Sequence, residues 1–296
     1  MCATCWPSIL ATEPPIGAQA LIGAQALADA LAGPAPPVVL DATYYLPNEG
    51  RDAVAEYRAA HIPGARFFSI DLFADQDTSL PHMVPAAGRF AHLAGALGLT
   101  RQTPVVAYDQ RGLFSAGRAW WLLRLFGLSA VRVLDGGLPA WRRAGQPVAS
   151  GEEAAPAAAI FYPALHTALL RGLGDVRANI ASGAEILLDA RAAPRFAAQV
   201  PEPRPGLRGG HVPGARNLPF TTLLDSDGRL LPPARLREIF AGLGVDGSRP
   251  VVSMCGSGIT ATVLSLALAA SGLPPGAVYD GSWSEWAGQS DTPVES

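Results

Sequence analysis

From Pro250 to Thr262 the chain reads P-V-V-S-M-C-G-S-G-I-T-A-T. Val251 to Met254 is a short apolar run with the length and composition of a buried parallel strand, and Thr262 to Ala270 reads as an apolar helix rich in Ala and Leu. Cys255 therefore falls at a strand-to-helix turn. Gly256 and Gly258 let the backbone curl so that successive N–H groups face one point, above the positive end of the helix dipole. A thiolate held there is stabilised, which makes Cys255 a candidate nucleophile. A lone Cys after a strand is usually a small buried hydrophobe. Gly-Ser-Gly directly behind it, at a helix entry, builds an anion cradle rather than a core.

Outward from this turn, the chain proves to say everything twice. Leu187-Leu-Asp-Ala190 echoes Leu40-Asp-Ala42, and His211-Val-Pro-Gly-Ala-Arg216 echoes His61-Ile-Pro-Gly-Ala-Arg66. Pro250-Val-Val echoes Pro104-Val-Val, and Asp280-Gly-Ser-Trp-Ser-Glu-Trp286 echoes the segment from Asp135 to Trp141. Each pair is offset by roughly 145 to 150 residues, about one domain length, as duplication of a whole domain produces. Strands are expected at Val38 to Ala42, Val105 to Tyr108 and Val131 to Leu134, with helices at Asp52 to Ala60 and Ser115 to Phe126. Ile16 to Leu31, where I-G-A-Q-A-L occurs twice, is expected to form a short helix on the first strand. Strands alternating with helices in both halves imply an α/β protein of two tandem domains, each an open, mostly parallel sheet with helices on both faces. The domains are placed at 15–145 and 165–290, with 146–164, rich in Ala, Pro and Glu, as linker.

The two copies differ where chemistry would sit. Aligning the Pro-Val-Val strands sets Asp109 opposite Cys255, and Asp109-Gln-Arg-Gly has neither a nucleophile nor paired glycines. The C-terminal half is expected to be catalytic and the N-terminal half inactive, with the cleft at their junction.

Composition narrows the function further. With 49% hydrophobic and 16% charged residues the 296-residue chain is an ordinary globular protein, and a net charge of -3 leaves no basic footprint for nucleic acid. No Lys occurs, which excludes Schiff-base and pyridoxal-phosphate chemistry and a Walker A loop. The only cysteines are Cys2, Cys5 and Cys255, so no disulfide framework is expected and the compartment should be reducing. Cys2 and Cys5 form a C-x-x-C pair with no second pair or nearby His, so no metal site is expected. No positive region followed by a long apolar run opens the chain, and no segment approaches the ~20 apolar residues that span a bilayer. A cytoplasmic protein without membrane contact is the expectation.

The tandem halves, the H-[IV]-P-G-A turns, the D-G-x-x-x-W endings and the loop from Cys255 to Ala261 resemble the rhodanese superfamily, and within it the 3-mercaptopyruvate sulfurtransferases. The resemblance runs from about Val38 to near the C-terminus. It implies sulfur transfer from 3-mercaptopyruvate through a persulfide on Cys255, with release of pyruvate and no cofactor or metal. Thioredoxin, glutathione or cyanide would then accept the outer sulfur. It further implies that Arg195 and Arg204, with the loop residues Gly256, Gly258, Ile259 and Thr260, bind the donor, and that Ser257, His82 and Asp71 form a relay beside Cys255. A planar guanidinium suits an α-keto acid, because it can bind carboxylate through two parallel hydrogen bonds. Thiosulfate-specific relatives usually carry basic residues after the Cys, where this loop has Gly256-Ser257-Gly258.

Other functions stay open at this point. Thiosulfate as donor is one, and a non-catalytic sulfur-carrier module is another. Gly256-x-Gly258-x-x-Ala261 also fits a relaxed dinucleotide fingerprint, with Asp280 as its acidic residue. A cysteine phosphatase would need Arg where Ala261 stands.

Overall fold

Between Val105 and Tyr108 successive side chains enter different cores: Val105 and Ala107 join one, Val106 and Tyr108 another. That alternation is the period of a strand buried on both faces, and it recurs through both halves of the computed structural model, which describes residues 20–296. The first half runs β1 (Leu21–Ile22), α1 (Ala24–Leu31), β2 (Val38–Asp41), α2 (Ala53–Ala59), β3 (Arg66–Phe67), α3 (Ala87–Ala96), β4 (Val105–Tyr108), α4 (Ala116–Leu125), β5 (Val131–Leu134) and α5 (Gly137–Arg143). The second runs β6 (Leu170–Arg171), α6 (Leu173–Ser182), β7 (Ile186–Asp189), α7 (Ala193–Phe196), β8 (Arg216–Asn217), α8 (Pro233–Gly242), β9 (Val251–Met254), α9 (Ala261–Ala270), β10 (Ala277–Tyr279) and α10 (Ser282–Gly288).

Each half is a five-stranded sheet in the same order, β1-β5-β4-β2-β3 and β6-β10-β9-β7-β8, and every pairing is parallel. The outer face of each sheet has its own core, built on Val39, Val106 and Trp141 in one half and on Val252, Met254 and Trp283 in the other. The inner faces share a single core that runs through both halves, from Leu40 and Val133 to Leu188 and Val251. Helices α4 and α9 pack together in that shared core, and every residue of α4 is buried. A largely apolar helix such as α9, buried along almost its whole length, needs cover on all sides, which the second sheet, α4 and α8 provide together.

Among the described residues four strands, β1, β3, β6 and β8, are two-residue edges, too short for a periodic signal in the sequence. The helix expected from Ile16 to Leu31 is corrected accordingly. Leu21 and Ile22 pair in register with Val133 and Leu134 of β5, and the helix starts only after Gly23, whose backbone is extended (φ −79°, ψ 160°). The earlier part of that segment, and Cys2 and Cys5, lie outside the described residues. Residues 146–164 run back over the first half: Ala149 pairs antiparallel with His61, Glu153 accepts from the Gly64 N–H at 2.8 Å, and Phe161 meets Phe90 edge to face. Among the described residues no helix is long and apolar enough to cross a membrane.

Candidate active site

Cys255 follows the last residue of β9, at the carboxyl end of a central strand, where open α/β sheets bind their ligands. Its side chain is buried on the inner face, in the core shared by the two halves. The loop is fastened from behind by the start of α10. Ser282 Oγ accepts from the Cys255 N–H at 3.2 Å, the Trp283 N–H donates to the Cys255 carbonyl at 3.0 Å, and the N–H and Oγ of Ser284 donate to the Gly256 carbonyl at 2.9 and 2.6 Å. With the carbonyls drawn outward, the N–H groups of residues 256–260 donate to no acceptor among the described residues. A sulfur anion on Cys255 would meet those donors together with the N-terminus of α9.

A cavity of about 170 Å³ opens beside this loop. Cys255, Gly256, Ser257, Ile259 and Thr260 form its floor, Arg195 and Arg204 one wall, and Leu46, Phe114 and Phe220 an apolar wall to which both halves contribute. Arg195 sits on α7 rather than in the loop that its Pro-rich surroundings suggest, and its Nε and Nη2 are held by the buried carboxylate of Glu202. Nη2 also stands over Gly256, 3.2 Å from where a Cβ would be. The same Glu202 accepts from Arg191 Nη1 at 2.9 Å, and Arg191 is further fixed by Asp189 and by the face of Trp283. Arg204 has no carboxylate or hydrogen-bond partner among the described residues, so its charge is uncompensated at the cavity wall. Three guanidinium groups against two carboxylates leave the wall one positive charge in excess, a match for a monoanion.

The first half supplies a histidine. His82 Nδ1 lies 3.0 Å from Ser257 Oγ, and its Nε2 lies 3.5 Å from Asp71 Oδ1. Nδ1 also lies 3.4 Å from the Ser257 carbonyl. In the tautomer with the proton on Nε2, facing the Asp71 carboxylate, Nδ1 accepts from the Ser257 hydroxyl. Burial lowers the His82 pKa below the ordinary histidine value and the Arg118 charge lowers it further, while the hydrogen bond to Asp71 acts the other way. The imidazole is therefore neutral at pH 7. Asp71 itself is open to solvent.

Gly258 does not line the cavity. Its backbone is left-handed (φ +76°), and a Cβ there would stand 2.9 Å from the Asp280 carbonyl and 3.1 Å from Arg118 Nη1. The other nine residues that the sequence singles out do come together: seven line the cavity, and His82 and Asp71 extend from Ser257. No group of His, Cys, Asp or Glu able to hold a metal occurs among the described residues.

Residues 24–144 and 173–289 each match the model of the rhodanese-like domain. The chain belongs to the rhodanese family. This rhodanese is 44% identical over 273 residues to the 3-mercaptopyruvate sulfurtransferase of Homo sapiens, covering 90% of this chain and 92% of the relative. It is 40% identical over 278 residues to thiosulfate/3-mercaptopyruvate sulfurtransferase 1, mitochondrial, of Arabidopsis thaliana, covering 87% and 73%. The crystal structure of the 3-mercaptopyruvate sulfotransferase SseA from Escherichia coli superposes with a TM-score of 0.81 at 37% identity, covering 90% of this chain and 99% of that one.

The dinucleotide alternative loses its acidic residue, because Asp280 is buried against Arg118 and the Val84 N–H. Sequence reasoning missed Glu202, Arg191, Phe114 and Phe220. Glu202 had a signal, standing two residues before Arg204 in the same E-P-R motif. The aromatic wall had none, since Phe114 and Phe220 meet only when the halves dock.

Proposed function

We propose that this rhodanese is a 3-mercaptopyruvate sulfurtransferase that carries sulfur as a persulfide on Cys255. The observation that carries the assignment is one small cavity in which an unpaired Arg204 and a carboxylate-held Arg195 stand beside Cys255. A planar carboxylate next to a ketone fits two guanidinium groups, and the sulfur then reaches the cysteine.

The Cys255 thiolate attacks the donor sulfur. An S–S bond forms, the C–S bond breaks, and its electron pair passes to the enolate of pyruvate. The thiol proton of the donor ends on the enolate carbon, so that a thiolate and mercaptopyruvate become an anionic persulfide and pyruvate. In this reading Ser257 and His82, backed by Asp71, take the donor's thiol proton and return it to the enolate carbon, and the loop N–H groups stabilise the anionic outer sulfur; the 3.0 Å approach of His82 Nδ1 to Ser257 Oγ supports it. A thiol of the thioredoxin or glutathione kind, or cyanide, then removes that sulfur. The reducing setting expected from the cysteine count suits a thiol acceptor.

Thiosulfate is the second donor to consider, since the Arabidopsis relative's name joins both. Its tetrahedral sulfonate uses a pair of planar forks less well. Intact-mass measurement after incubation with mercaptopyruvate tests the proposal. The wild-type chain should gain one sulfur and release one pyruvate, and Cys255→Ser should do neither; sulfur uptake by the serine variant would end the assignment.

A further inference from the structure

His82 has a backbone conformation that histidine seldom adopts, with φ at +61°. Residues held there persist only where their surroundings fix them on several sides. The Tyr44 ring meets the His82 ring edge to face at 4.7 Å and the Met83 carbonyl accepts from the Asp75 N–H at 2.8 Å, and beside these contacts a buried ion pair bridges the halves. Arg118, on α4 of the first half, and Asp280, after β10 of the second, meet at 2.8 Å with both side chains almost wholly buried. Arg118 Nη2 also donates to the His82 carbonyl, and Nη1 donates to the Gly258 carbonyl at 3.3 Å. The second oxygen of Asp280 accepts from the Val84 N–H at 2.6 Å. The pair thus grips the backbone on the carboxyl side of His82 and the backbone just after Ser257.

We propose that Arg118 and Asp280 are a positioning pair that holds the His82 ring against Ser257, so that proton transfer at the site depends on the docking of the two halves. The inference rests on the sulfurtransferase activity proposed above. Neither residue touches the cavity, and Arg118 is covered on its other side by the Trp121 ring, 4.6 Å from its guanidinium carbon. Buried Arg191, by contrast, holds Asp189 and Glu202 of its own half. Among the described residues, only Arg118, held by Asp280, joins the histidine segment to the cysteine loop through one guanidinium.

The test is a cycle of Asp280→Asn with His82→Ala, read by mercaptopyruvate kinetics and by the alkylation rate of Cys255 with iodoacetamide. Asp280→Asn alone should lower kcat by about tenfold or more while KM and the alkylation rate stay within about threefold. In the His82→Ala background the same change should cost less than about threefold, because the ring it positions is gone. Losses that multiply across the cycle, or an alkylation rate that falls with kcat, would overturn the inference. Should Asp280→Asn fail to fold, Arg118→Met/Asp280→Leu leaves no buried charge alone and carries the same cycle. Absence of turnover in the wild-type chain would instead refute the activity itself, which keeps the two failures apart.

Discussion

The turn after β4 and the turn after β9 occupy the same place in two sheets of the same order, yet one is closed and the other open. In the first half the Asp109 carboxylate folds into its own loop and accepts from the N–H groups of Arg111, Phe114, Ser115 and Ala116, each at 2.9 Å. That loop carries a built-in anion, fully buried at the N-terminus of α4. In the second half Cys255 holds the corresponding position, and the N–H groups of residues 256–260 have no acceptor among the described residues. The duplicated scaffold therefore makes an anion cradle twice, and one side chain decides whether the cradle is structural or chemical. A carboxylate satisfies the donors permanently, whereas a sulfur can arrive and leave.

Cys255→Asp is the strongest way to break this comparison. The new carboxylate should fold into the loop as Asp109 does, so turnover should vanish while thermal stability equals or exceeds that of the wild type. Loss of the fold in this variant would show that the two cradles are not equivalent. The largest graded effect is expected at the relay. Ser257→Ala and His82→Ala should lower kcat on mercaptopyruvate by about 10²–10⁴, the range of lost acid–base help. Thiosulfate, whose leaving sulfite needs no proton on carbon, should lose less, and equal losses on both donors would make the two residues structural.

The arginines sharpen the contrast from the substrate side, since Arg195 and Arg204 line the cavity beside the cysteine turn of the second half. Arg204→Gly should remove a charge-assisted pair worth about 1.5–3 kcal/mol, or roughly ten- to a hundredfold in kcat/KM, mainly through KM. Arg204→Lys should recover little, because an ammonium cannot reproduce the planar fork. Steady-state kinetics within twofold of wild type would place the carboxylate site elsewhere.

Legibility in the sequence followed locality. Cys255, Gly256, Ser257 and the strand before them lie within a few residues of each other, so periodicity and turn chemistry were enough to locate them. The duplication exposed the fold, because a repeated turn says more than a single one. His82 could be named only through a family resemblance: its partner Ser257 is 175 residues away. Arg118 was illegible for a different reason. An arginine between Gly117 and Ala119 on a helix suggests a solvated face, and the groups that make its burial tolerable, Asp280 and the carbonyls of His82 and Gly258, are all remote in sequence. Glu202 shows the same limit: a carboxylate beside arginines in a Pro-rich segment does not reveal which of them it will hold.

The smallest expected effect comes from His82 titrating. The charged groups around the ring are Asp71, Arg118 and Arg204, and burial outweighs Asp71 in setting the direction, so the folded pKa lies below the ordinary value of about 6.5. As pH falls through 6.5 the unfolded chain binds this proton before the folded one does. The stabilisation from keeping His82 neutral is thus fully present above that pH and is lost as pH drops towards the depressed folded value. Turnover should follow the folded value, since a protonated Nδ1 cannot accept from Ser257. The acid limb of kcat for mercaptopyruvate should therefore fall below 6.5, and in Asp71→Asn it should move lower still, because the one bond that favours the imidazolium is removed. The aspartate loop of the first half contains no such group, so urea denaturation at pH 7.5 and 5.5 should show a difference that His82→Gln reduces. An acid limb above 6.5 that moves upward in Asp71→Asn would assign the titration to another group and leave His82 without a part in proton transfer.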